Sequence, residues 1–129
     1  MKKVQVFLIA AIGWFIISVI LLTLPGSDYP EEGWFDKIWL DKWIHIGMFS
    51  VMVALWCKSL QLLKPNSSSQ KLKQLFIVTA IIFLGYGITM EFVQKYFIPF
   101  RSFDVLDILA DGIGCAVGLV FSIRRYIKR

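Results

Sequence analysis

The chain of 129 residues has one histidine, His45, and two cysteines, Cys57 and Cys115. A single histidine excludes a phosphatase site built on two histidines, and no H-E-x-x-H pair can form. Both cysteines fall inside apolar blocks, so they read as buried free thiols and not as a disulfide. Charge is scarce at 18% of residues, and acids are absent from both ends: the first is Asp28 and the last is Asp111. Outside the termini there is no basic patch with interleaved aromatics, which excludes nucleic acid as a partner. The first apolar block lacks an A-x-A-like cleavage site. It is also longer than the roughly 7–15 residues of a signal-peptide core, so it reads as an uncleaved span.

What the chain has in abundance is apolar sequence. It is 57% hydrophobic and its mean hydropathy is +0.68, against about 45–50% apolar in soluble domains. The excess comes in long blocks, the mark of an integral membrane protein. The spacing predicts one all-α membrane domain over 1–129, a four-helix bundle with helices at about 4–24, 40–63, 75–96 and 103–123. At about 1.5 Å per residue the first block crosses roughly 30 Å, one hydrocarbon core; Pro25 and Gly26 end it. Between the first two helices, Trp34, Phe35, Ile38 and Trp39 share one side of a short amphipathic segment at the interface, with Trp43 close by. Lys64, Pro65 and the polar run 66–70 form the connection between helices two and three. Gly85-Tyr86-Gly87 lies within apolar helix and has no pore-loop context, so it is not a selectivity filter.

The stretch 101–118, RSFDVLDILADGIGCAVG, organises the rest. Asp104, Asp107 and Asp111 stand at i, i+3 and i+7 and share one helix face, continued by Gly114 and Gly118. Such an edge cannot face lipid. Asp111 lies roughly 12 Å below Phe103 at about 1.5 Å per residue. A charge there costs at least about 2.5 kcal/mol on insertion scales, so Asp111 must be paired or protonated. Lys42 and His45 are the cationic partners on hand. Gly114-x-x-x-Gly118 is a small-residue packing surface, within the bundle or between two copies in a homo-oligomer.

Basic residues sort by side. Lys2, Lys3, Lys58, Lys64, Lys71, Lys73, Arg124, Arg125, Lys128 and Arg129 fall with the termini, and Lys37, Lys42, Lys95 and Arg101 fall opposite. The positive-inside rule then places both termini in the cytoplasm. Asp41, Lys42, His45, Glu91, Gln94, Arg101, Asp104, Asp107 and Asp111 all gather at the outer side as a ligand-binding set, with His45, Glu91 and Asp107 the catalytic candidates. No cofactor or metal is expected: the acids and His45 suit a divalent cation chemically, but no metal-binding spacing accompanies them.

Leu24-Pro25-Gly26, Asp41-Lys42-x-x-His45 with Phe49, Tyr86, Glu91-x-x-Gln94 and Pro99-x-Arg101-x-x-Asp104-x-x-Asp107, followed by Asp111, Gly114 and Gly118, resemble the VanZ-like membrane proteins over nearly the whole chain. That family was first associated with resistance to the glycopeptide teicoplanin. Where the family usually has Asn, this chain has Asp111, which adds a titratable group. The resemblance implies a multi-pass cell-envelope protein of the bacterial inner membrane. Two function classes follow: a protein that binds a lipid-linked envelope component, such as a cell-wall precursor, or influences glycopeptide susceptibility; or an intramembrane hydrolase or transferase acting on a lipid head group through the His and acid cluster.

Overall fold

A computed structural model describes residues 2–25 and 34–128. Four helices follow one another: α1 Lys3–Thr23, α2 Trp34–Leu63, α3 Ser69–Phe97 and α4 Val105–Tyr126. Each contains a stretch long and apolar enough to cross a membrane. The chain is an all-helical membrane protein.

The starts of the helices are set by capping. The Ser68 hydroxyl accepts from the Lys71 amide at 3.2 Å, so α3 begins at Ser69, about six residues before its apolar run. The expected loop is thereby cut to 64–68, because a serine placed before an exposed polar turn satisfies helix amides that would otherwise need water. Likewise the Asp104 carboxylate accepts from the Leu106 amide at 2.9 Å and opens α4. The backbone of α2 is already helical at Trp34, so the segment expected to lie separately at the interface is continuous with α2. The side chains of 34–39 lie outside the described set, as does Gly26. In the turn between α3 and α4, Phe100 takes a left-handed conformation at φ 59°.

α1 is apolar on every side, and its buried residues are only Ala11, Ser18 and Leu22. Ile9, Ile16 and Ile20 are exposed, as suits a face turned to lipid. α1 is tied to the bundle by polar bonds: Trp14 Nε1 donates to the Met48 carbonyl at 2.9 Å, and the Ser18 and Tyr86 hydroxyls meet at 2.9 Å.

α4 packs most extensively against α2, and the glycines are the reason. A Cβ at Gly114 would stand 2.6 Å from the Ile46 carbonyl oxygen, and one at Gly118 would stand 2.6 Å from the Ser50 carbonyl oxygen. The two backbones therefore touch, the small-residue contact typical of membrane helices. The Ser50 hydroxyl adds a bond to the Gly114 carbonyl at 3.1 Å. The Gly114 and Gly118 surface thus packs on α2 of the same chain. Below it Phe49, Met52, Val53, Cys57 and Phe76 are sealed from solvent. Both cysteines are buried and free.

Candidate functional site

The close α2–α4 contact carries the polar residues at one end of the bundle. On α2, Asp41 and Lys42 share one turn and His45 lies on the next; on α4, Asp104, Asp107 and Asp111 descend the facing edge. The Lys42 ammonium donates to Asp104 Oδ2 at 2.6 Å and to Asp107 Oδ1, and reaches Asp41 Oδ2 at 3.5 Å. Deeper in, His45 Nδ1 and Asp111 Oδ1 are 2.7 Å apart. The other imidazole nitrogen, Nε2, stands 3.8 Å from Asp41 Oδ1 and 3.8 Å from Asp107 Oδ2. Asp41 and Asp107 therefore divide their oxygens: one of each faces Lys42 and the other faces His45.

Exposure falls steeply along this shaft. The Asp41 and Asp104 side chains are 40% exposed, Lys42 12%, Asp107 6%, His45 4% and Asp111 2%. The two outer acids mark the exposed end of the cluster, its mouth, and the His45–Asp111 pair its buried end. At the mouth, burial pushes the Asp104 carboxyl up, but the Lys42 hydrogen bond and the Leu106 amide together hold it below the usual carboxylate range.

Glu91 reaches the cluster from α3. It is fully buried, and its Oε2 accepts from the Asp104 amide at 3.0 Å, which fixes the start of α4. Gln94 and Arg101, expected in the ligand-binding set, turn to α1 instead. Gln94 Nε2 donates to the Leu22 carbonyl at 2.8 Å and Arg101 Nε donates to the Leu24 carbonyl at 3.1 Å. The last carbonyls of a helix lack intrahelical partners, and Pro25 stops α1 just there, so both side chains close its end. Ser50 is also committed, to the Ile46 and Gly114 carbonyls, and offers no nucleophile.

One further residue, without a polar group of its own, shapes the site. A Cβ at Gly87 would stand 2.6 Å from Asp111 Oδ2 and 3.1 Å from Asp111 Cβ. Only glycine leaves room for Asp111 to reach His45. The available signal was spacing: Gly87, Glu91 and Gln94 stand at i, i+4 and i+7, on one face of α3. Gly87→Ala is expected to push Asp111 off His45 and to cost about 1–3 kcal/mol, the range for overpacking. Gly85→Ala, where a Cβ meets nothing within 4 Å, is expected to be tolerated. Thermal unfolding of the two variants in detergent compares them directly.

A groove of about 610 Å³ lies along the other half of α4, between Ala116, Val117, Val120, Phe121, Arg124 and Arg125. It carries no acid, and its two arginines sit at the far end of the helix from the cluster.

Fold and site together define a multi-pass membrane protein with a cluster of lysine, histidine and acids between two helices. The chain belongs to the VanZ/LLP1 family, whose sequence model matches residues 7–126. It is similar to the Uncharacterized protein C11E3.10 of the fission yeast Schizosaccharomyces pombe, with 32% identity over 128 residues, covering 99% of this chain and 67% of that protein. No solved structure matches it.

Proposed function

We propose that this protein recognises the polar head group of a lipid-linked envelope component at the mouth of the α2–α4 cluster. The observation that carries this reading is the gradient of exposure from Asp41 and Asp104 down to Asp111. A polar shaft that opens at one end of an apolar bundle gives a head group polar contacts while its acyl chains stay in lipid. The basic asymmetry supports cytoplasmic termini and a mouth turned outward, which in a bacterial inner membrane would face the cell wall. A cell-wall precursor carried on a lipid is the ligand this placement suits, with altered glycopeptide susceptibility as the cellular consequence.

The test is native mass spectrometry of the purified protein with a lipid-linked disaccharide pyrophosphate and with phosphatidylethanolamine. Selective retention of the first, weakened at least tenfold by Asp104→Asn, is expected. Equal retention of both lipids, unchanged by the substitution, would sink the reading. Orientation is checked separately by thiol labelling of Asn66→Cys, since the native cysteines are buried. The loop cysteine should react only after permeabilisation; labelling of intact cells would invert the topology.

A second reading rests on the His45–Asp111 pair. With Nδ1 held by a carboxylate, Nε2 is positioned to take a proton from a water attacking a head group. An intramembrane hydrolase or transferase would use His45 as base, with Asp111 fixing its tautomer. Release of a labelled head group by purified protein, lost in His45→Gln, is the result this reading requires.

A further inference from the structure

The geometry points to a divalent transition-metal site formed by Asp41, His45 and Asp107, a proposal independent of the head-group reading. Among the described residues these three alone bring candidate ligand atoms together, all within 4.8 Å of one another. His45 is the decisive member. Its side chain is 4% exposed, its Nδ1 is bound by Asp111, and among the described residues Nε2 faces two carboxylate oxygens, each 3.8 Å away and beyond hydrogen-bonding distance. A buried imidazole with one nitrogen on a carboxylate and the other aimed at two oxygens has the form of a carboxylate–histidine–metal arrangement. Asp111 in that role fixes the tautomer that leaves the Nε2 lone pair for the ion.

The dimensions agree. Metal–ligand bonds of about 2.0–2.2 Å place tetrahedral ligands roughly 3.3–3.6 Å apart. The two 3.8 Å separations from Nε2 need to close by a few tenths of an ångström, and the Asp41–Asp107 oxygens, which lie within 4.8 Å of each other, by up to about one ångström. Asp41, at the exposed mouth and one helical turn from His45, has room to make that movement. Lys42 does not compete for these atoms, because it holds the opposite oxygens of Asp41 and Asp107.

Charge argues the same way. Asp41, Glu91, Asp104, Asp107 and Asp111 bring five carboxyl groups to a region with one ammonium, Lys42, where His45 is the neutral ligand. A second positive ion offsets that excess. One imidazole among oxygens selects zinc or manganese over calcium or magnesium. Three protein ligands leave a coordination position toward the mouth, where a water or a phosphate oxygen can bind.

The experiment is titration calorimetry of chelator-stripped protein in detergent with Zn²⁺ and Mn²⁺, together with the visible spectrum of the Co²⁺ form. One ion per chain is expected, with the Co²⁺ bands of a tetrahedral nitrogen and oxygen site. His45→Gln should weaken binding at least a hundredfold and Asp41→Asn at least tenfold. Asp111→Asn should weaken it about tenfold, the lower end of the range for a residue that supports a ligand. No saturable binding of any of the three ions would overturn the proposal, as would binding indifferent to both His45→Gln and Asp41→Asn. If His45→Gln fails to fold, Asp41→Asn decides alone, because Asp41 lies at the mouth and outside the core.

Discussion

Alanine at Gly114 and Gly118 together is expected to remove most of the folded protein from the membrane. Each new Cβ would sit 2.6 Å from a main-chain oxygen of α2, at Ile46 and at Ser50, and about 2.9 Å from the Cβ of Phe49 or Val53. A side chain could turn away, but a helix backbone must shift as a whole. Overpacking of this kind costs about 1–3 kcal/mol per site. The two sites lie one turn apart on one contact, so their costs are coupled. A combined loss of roughly 2–6 kcal/mol is comparable with the whole stability of many domains, about 5–15 kcal/mol. The separation of α2 from α4 would also pull His45 from Asp111. Gly13→Ala and Gly47→Ala serve as controls, since a Cβ at either meets nothing within 4 Å. Folded yield by size-exclusion chromatography, with the thermal midpoint of each variant, reads the difference. Equal stability of the double variant and the controls would show that the backbones do not touch there.

Lys42→Met is expected to have the next largest effect. Lys42 holds Asp107, whose side chain is 6% exposed, and also bridges to Asp104 and Asp41. Removing one partner of a buried pair leaves the other charge uncompensated and costs about 3–5 kcal/mol. The loss is much smaller when both members go, so Lys42→Met with Asp107→Leu should recover most of the stability. His45 is too far from Asp107, at 3.8 Å, to replace the ammonium by a short hydrogen bond. Thermal unfolding of the single and double variants closes the cycle. A single variant as stable as the parent, or a double variant no better than the single, would mean that Lys42 is not the counter-ion of Asp107.

Much of this arrangement is legible from residue chemistry. Acids at 104, 107 and 111 within an apolar helix must share a face and find cations, and the chain holds few cations near that depth. The pairing of Asp111 with His45 and of Asp107 with Lys42 satisfies that demand. Gly114 and Gly118 announce a close contact, though not with which helix. Other features depend on where chain ends meet in space. Gln94 and Arg101 share polarity with the cluster, yet they bond to Leu22 and Leu24 because α1 terminates beside them. Nothing local to either residue encodes that neighbour. The role of Gly87 is equally non-local, since its lack of a side chain matters only once Asp111 is opposite. The start of α3 was obscured for a different reason. Ser68 lies in a polar run that looks like loop, and a capping serine differs from a loop serine only in its bond to the Lys71 amide.

Asp111→Asn separates geometry from charge at the floor of the site. An amide oxygen can accept the same Nδ1 bond that the carboxylate accepts, so folding should be nearly unchanged. Asp107→Asn should be more damaging, because Asp107 serves Lys42 and His45 at once.

The most direct measurement of the account is nitrogen NMR of the histidine ring. His45 is the single histidine of the chain, so one labelled imidazole reports on the site without overlap. If Asp111 holds it, Nδ1 carries a proton that resonates far downfield and exchanges slowly, and the signal of Nε2 alone moves when Zn²⁺ is added. An imidazole whose ring proton exchanges freely and whose two nitrogens respond alike to Zn²⁺ would contradict it.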